Sequence, residues 1–110
     1  MAQYRLSRRR RVDEIIWSDV GRDPGVYIFF QTKDGPARYV GRADTDLYRR
    51  ITGRPYRYYQ YKHTLDDIAA YEWECTYYHR FYDTIRTNNV NHPAKPRGLR
   101  GLVECPICGE

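Results

Sequence analysis

A turn, strand, loop and returning strand in the first half of the chain constrain the fold more than any other feature. Asp23-Pro24-Gly25 is a turn signal. It leads into Val26–Phe30, a β-branched and aromatic run that favours an extended strand. Lys33-Asp34-Gly35-Pro36 is the loop of a hairpin, Arg38–Val40 the returning strand, and Gly41 its end. Gly25-Val26-Tyr27 and Tyr39-Val40-Gly41 bracket this unit. Tyr27 lies near the start of one strand and Tyr39 near the end of the other. In an antiparallel hairpin those ends are neighbours, so both hydroxyls can reach one pocket.

The remaining segments complete a small α+β domain. Val12, Ile15 and Ile16 suit a short helical turn before the hairpin. Asp44 or Thr45 caps a helix through Leu47 and Ile51, closed by Gly53 and Pro55. Residues 56–62 are tyrosine-rich and read as a third strand with poor alternation. Thr64 and Asp67 form a near-miss capping box for the longest helix, roughly 65–84, with Leu65, Ile68, Ala69, Trp73, Tyr77 and Phe81 at helical spacing. The expectation is a three-stranded antiparallel sheet flanked by helices over residues 12–92. A flexible basic arm, residues 1–11, precedes it, because that segment lacks apolar anchors. An irregular tail, residues 93–110, follows.

Charge narrows the partner class. Residues 1–60 hold 13 Lys and Arg against 7 Asp and Glu, whereas residues 61–110 hold 6 against 7. The run Arg8 to Arg11, with Arg38, Arg42, Arg49, Arg50, Arg54 and Arg57, makes the first half a phosphate-binding surface or a solubilising one. Twelve tyrosines favour the first, since aromatic and cationic side chains together suit nucleic acid. No stretch approaches the roughly 20 apolar residues of a membrane span. The basic N-terminus lacks the apolar run of a signal peptide, so a cytoplasmic location is expected.

Within that surface the residue types for phosphate chemistry recur. A tyrosine hydroxyl near a cation can help take a proton from attacking water. Leu47 and Ile51 must face the core, which leaves Arg49 on the helix flank, where a guanidinium can fork onto phosphate oxygens. Arg50 and Arg54 are alternatives for that role. The acidic partner comes from the long helix. Glu72 shares a side with Cys75 and His79, whereas Glu74 faces with Tyr77, Tyr78 and Phe81. If Cys75 and His79 bind a structural metal, Glu74 is the better active-site carboxylate, and one carboxylate with phosphate and waters suits Mg²⁺ or Mn²⁺.

Cys105-x-x-Cys108 is a ligand pair, and Cys75-x-x-x-His79 places two more ligands one helical turn apart. Together they form a Cys3His set suited to a structural Zn²⁺ that clamps the tail to the long helix. His92 is a competing fourth ligand, and Cys75 is alternatively a small buried residue. A redox role for Cys105 and Cys108 lacks the strand-to-helix setting it needs.

These motifs resemble a GIY-YIG nuclease domain across residues 22–92. Pro24-Gly25-Val26-Tyr27 is similar to the first half of the family signature and Tyr39-Val40-Gly41 to the second, with valine in place of isoleucine in each. The resemblance implies catalytic roles for Tyr27, Tyr39, Arg49 and Glu74, with a supporting asparagine that falls best on Asn89 among Asn88, Asn89 and Asn91. Arg42 matches the basic residue that often follows the second glycine. A further site tyrosine or histidine falls on Tyr56, Tyr58, Tyr59 or His63. The implied activity is hydrolysis of DNA phosphodiester bonds with one Mg²⁺ or Mn²⁺ on Glu74. Nucleic-acid contacts are expected from Arg38, Arg42, Arg50 and Arg54. The rival reading is a zinc-stabilised nucleic-acid binder without catalysis, and a homodimer or accessory protein is a candidate source of target choice.

Overall fold

The run Gly25–Phe30 contains no charged residue, and in the computed structural model, which describes residues 2–110, it is buried throughout. The elements in chain order are β1 (Arg10–Arg11), a 3-10 turn (Val12–Glu14), α1 (Trp17–Val20), β2 (Gly25–Phe30), β3 (Ala37–Ala43), α2 (Leu47–Ile51), β4 (Tyr58–His63) and α3 (Asp67–Ile85). They form an α+β architecture around one antiparallel sheet of order β1-β4-β2-β3. A central strand covered on both faces needs apolar residues at every position, which is why β2 does not alternate. On one face Tyr27, Phe29, Tyr59 and Tyr61 pack with Val20, Leu47 and Ile51. On the other, Val26, Ile28, Phe30 and Val40 pack with Tyr77 and Tyr78 of α3.

The sheet has four strands rather than the expected three. The additional one lies in the segment read as a flexible arm. Arg10 and Arg11 pair with Tyr59 and Tyr58, and the chain before them runs along β4. Ser7 donates its amide to the Tyr61 carbonyl at 2.8 Å, and its Oγ accepts from the Tyr61 amide at 3.0 Å. The Gln3 amide donates to Nδ1 of His63 at 2.6 Å. Leu6 packs on the second core, and the Arg9 guanidinium covers the Phe30 ring at 3.5 Å while donating to the carbonyls of Thr32, Lys33 and Gly35. Composition missed this anchoring because most of it comes from backbone groups and one arginine stem rather than from an apolar run.

The helices depart from expectation mainly at their caps. Asp46, rather than Asp44 or Thr45, caps α2 by accepting from the Arg49 amide at 3.0 Å. Asp66 caps α3 through the Ala69 amide at 2.8 Å, so Thr64 and Asp67 form no capping box and Leu65 is left exposed. A helix of five residues is unstable alone. Burial of Leu47 and Ile51 holds α2, at about 2 kcal/mol for each side chain. Gly25 permits that approach, since a methyl there would run into the Leu47 side chain and the Lys62 carbonyl. A third cluster of Tyr71, Cys75 and Cys105, with Val103 against it, ties the tail to α3.

Candidate active site and metal centre

Tyr27 and Tyr39 lie on the same face of the hairpin. Tyr27 is opposite Gly41 and Tyr39 opposite Phe29, the next position along that face. Any side chain at position 41 would collide with the Tyr27 ring and hydroxyl, so glycine lets that hydroxyl lie over β3, the edge strand. Burial pushes Tyr27 up to about 12, with Tyr39 and Glu74 adding to the rise and Arg50 and Arg54 opposing it. Tyr39 is raised as well, by burial and then by Glu74 and Tyr56, against the pull of Arg54 and Arg50. One carboxylate and two cations therefore act on both phenols. At rest near neutral pH both hydroxyls keep their protons.

Glu74 reaches this edge from α3, on the other face of the sheet. It is 8 % exposed, whereas Glu72 is exposed. Arg42 of β3 donates from Nη1 to Glu74 Oε1 at 2.7 Å and from Nε to Asp44 Oδ1 at 2.7 Å. The same Nη1 donates to the Ala94 carbonyl. Burial pushes the Glu74 carboxyl up to about 7 despite the opposing hydrogen bond from Arg42. Arg42 is raised in turn, the bonds to Asp44 and Glu74 outweighing its burial. A carboxyl near 7 is poised to exchange a proton or to ionise onto a cation.

The other residues singled out from the sequence divide into those near this edge and those holding it. Arg49 and Arg50 are exposed on α2 and, with Arg54, line a hollow of about 450 Å³ beside Asp44, Thr45 and Asp46. Arg50 and Arg54 are the cations that act on the phenols, so the arginine role fits them better than Arg49. Arg38 is exposed, and its carbonyl accepts from the Asn88 amide at 2.6 Å. Asn89 works as a clamp: its Nδ2 donates to the Val40 carbonyl at 2.8 Å, and its Oδ1 accepts from the Val40 amide at 3.1 Å. Thr87 Oγ1 donates to the same Oδ1 at 2.6 Å. Asn89 thus positions β3 between Tyr39 and Gly41. Tyr56 stacks on Phe29 at 4.8 Å and lies 6.2 Å from Tyr39, and its hydroxyl accepts from Asn88 Nδ2 at 3.3 Å. It is the one of the four further candidates that meets the edge.

A second constellation lies in the tail. His79, His92, Cys105 and Cys108 bring one ligand atom each to within 4.8 Å of one another. His92 therefore takes the place expected for Cys75. Cys75 is one turn back on α3, where its sulfur is sealed in the third cluster with Tyr71 and Cys105. The helix does align Cys75 and His79, and Cys75 packs against Cys105 of the tail, but only the imidazole joins the ligand atoms of His92, Cys105 and Cys108.

The two imidazoles indicate what this group can hold. His79 Nδ1 donates to Asp83 Oδ2 at 2.9 Å, and His92 Nδ1 donates to the Pro93 carbonyl at 3.0 Å. Both protons are thus assigned to Nδ1, which leaves two bare Nε2 lone pairs facing each other at 3.2 Å. Such an arrangement suits a metal ion between them, or a shared proton when one ring is charged. Tetrahedral Zn²⁺ with nitrogen near 2.05 Å and sulfur near 2.3 Å has edges of about 3.3 Å for N–N and about 3.6 Å for N–S. The 3.2 Å His79–His92 separation and the 3.4 Å from Cys108 Sγ to His92 Nε2 lie close to those edges. The Cys105 thiol is lowered to about 6: burial opposes this, but the backbone amides of Cys108 and Ile107 and the His92 and Cys75 side chains outweigh it. A thiolate, two Nε2 lone pairs and Asp83 and Pro93 behind the rings form a donor set that can hold a metal ion.

Sequence reasoning ranked His92 second because no ligand spacing links it to the cysteines, and its one cue was a histidine in an otherwise irregular tail. Comparison with known protein families, characterised proteins and solved structures finds no match to this chain.

Proposed function

We propose that this chain is a divalent-metal-dependent DNA endonuclease of the GIY-YIG type, with a structural zinc at His79, His92, Cys105 and Cys108. The observation that carries the reading is the pair of phenols on one face at the edge of β3, where Gly41 gives way to the Tyr27 hydroxyl and the charges of Glu74, Arg50 and Arg54 act on both. Glu74, through the oxygen that Arg42 does not engage, would hold a Mg²⁺ or Mn²⁺ ion. That ion would supply Lewis acidity toward the phosphate and the leaving 3′ oxygen. Tyr27 first gives up its own proton to solvent, with Arg50 and Arg54 favouring the phenolate; it then orients the attacking water and accepts its proton, returning to the phenol. Tyr39 and Tyr56 align the nucleophile and the flanking sugar. Arg50, Arg54 and Arg49 neutralise charge on the non-bridging oxygens. Water oxygen bonds to phosphorus, the P–O3′ bond breaks, and the 3′ oxygen leaves as a hydroxyl after taking a proton from solvent.

A second reading has its own support. Arg42 already neutralises Glu74 without any metal, which favours a zinc-stabilised nucleic-acid binder that does not cut. Zinc-loaded protein incubated with plasmid and branched DNA in Mg²⁺ or Mn²⁺ separates the two. Cutting that Glu74→Gln abolishes, with DNA binding retained, supports the nuclease. Binding without metal-dependent cutting selects the binder.

A further inference from the structure

Three surface hollows join end to end, and they share residues. The one beside α2 contains Arg49, Arg50 and Arg54. Arg54 also lines a larger hollow of about 670 Å³, together with Tyr48, Tyr56, Arg57, Tyr58 and Arg11. Tyr58 and Arg11 in turn line a third, of about 630 Å³, which contains Arg8, Arg9, Arg10 and Lys33. The three together present nine Lys and Arg against five Asp and Glu (Asp13, Glu14, Asp19, Asp44 and Asp46), a net +4 out of the chain's +5. A solubilising surface has no reason to concentrate its excess in one continuous path. The pairing of β1 with β4 puts the N-terminal arginines at the far end of that path rather than on a loose arm.

We propose that this path binds a single strand of nucleic acid, running from the tyrosine edge past Tyr56 and Tyr48 to Arg8. The inference rests on the nucleic-acid reading above and names the form of the substrate flank. Two features favour a single strand over a duplex. The middle hollow alternates cations with the half-buried rings of Tyr48, Tyr56 and Tyr58, and a base can use an aromatic ring only when its own face is unstacked. The hollows also meet one after another through shared residues, so their cations make one track, whereas a duplex offers two rows of phosphates. The side chains of Arg8 and Arg57 are exposed and make no hydrogen bond or ion pair among the described residues, so they are available for phosphates. By contrast, Arg9 is spent on loop carbonyls and Arg11 on Asp13.

The test is fluorescence anisotropy of a labelled oligothymidylate of about 10 nucleotides on zinc-loaded protein without added Mg²⁺ or Mn²⁺. A blunt duplex of the same length is the competitor. The single strand is expected to bind at least about tenfold more tightly than the duplex, with a salt slope of about −0.7 for each phosphate neutralised. Arg8→Glu with Arg57→Glu should weaken it about tenfold or more and flatten that slope by about 1.4. Arg97→Glu with Arg100→Glu, exposed in the tail and equal in charge change, should weaken it less than about threefold. A 5-iodouracil oligonucleotide should photo-cross-link to Tyr48, Tyr56 or Tyr58. Equal or tighter duplex binding overturns the proposal, as does a tail pair that weakens binding as much as the track pair. Failure of oligonucleotide binding while Mg²⁺-dependent plasmid cutting persists removes the track alone. Intact oligonucleotide binding with no cutting removes the nuclease reading alone.

Discussion

Glu74 and Cys75 are neighbours on α3, yet they open onto regions with opposite electrostatic balance. At the β3 edge the carboxylate is already answered by Arg42, and its surroundings push it toward the neutral form. In the tail, the Nε2 atoms of His79 and His92 face each other beside a lowered thiol, in a group of four side chains that could hold a metal ion. Tyr71 stands between the two, with Arg42 5.4 Å above its ring and Cys75 and Cys105 packed beside it. The edge is stable without an ion and would take one only in exchange for Arg42 or a proton. The tail centre has the donors to hold one. A metal acts as a structural part where the protein leaves lone pairs unanswered, and as an exchangeable reagent where it has answered them.

The largest expected effect breaks or keeps the catalytic half of that comparison. Glu74→Gln should lower metal-dependent plasmid cutting by about 10²–10³-fold, and Tyr27→Phe by about 10²-fold, with the fold and the zinc content unchanged. Either variant cutting at the wild-type rate removes that residue from the mechanism.

Next comes the tail. Chelation, or His92→Ala, should remove one zinc per chain and destabilise the fold by about 4 kcal/mol at free zinc near 1,000 times its dissociation constant. Cys75→Ala should keep the zinc. Metal analysis with thermal melts decides between the two fourth ligands, since loss of zinc from the Cys75 variant alone would restore the Cys3His set.

The pH dependence sharpens the contrast. The carboxyl of Glu74 is raised from 4.5 to about 7 in the folded chain, so the folded state holds that proton more tightly than the unfolded state across this window. Its contribution to stability is therefore largest below pH 4.5 and falls as pH rises through 7, by on the order of 3 kcal/mol. Zinc-loaded Glu74→Gln should lack that fall in denaturant titrations at pH 5 to 7.5. The tail centre acts in the other direction, because protons displace metal from imidazole and thiolate as pH drops. The smallest effect is Asn89→Ala, which removes the clamp on Val40 and should cost about 1–2 kcal/mol with zinc content unchanged.

The hairpin, the long helix and the pairing of Tyr27 with Tyr39 were legible because each depends on neighbours in sequence. Glu74 was selected over Glu72 by helical face, and its burial agrees, although the premise that Cys75 binds metal does not hold. What stayed hidden depends on distant contacts. The first strand is held by backbone bonds to β4, His92 meets the cysteines only through the path of the tail, and the charges of Arg50 on α2 and Arg54 beyond it act on phenols of a different hairpin. Residue type and spacing do not encode such meetings.

The grip of Asn89 on Val40 has a consequence for how copies of this chain meet. An outer strand with free amides and carbonyls invites another strand to add to the sheet. Here one side-chain amide occupies both outward groups of Val40, and the Asn88 amide occupies the carbonyl of Arg38. The exposed margin is thereby spoken for along its middle, while the opposite margin is two residues long. Another strand would have to displace Asn89 and Asn88 to extend the sheet along the middle of β3.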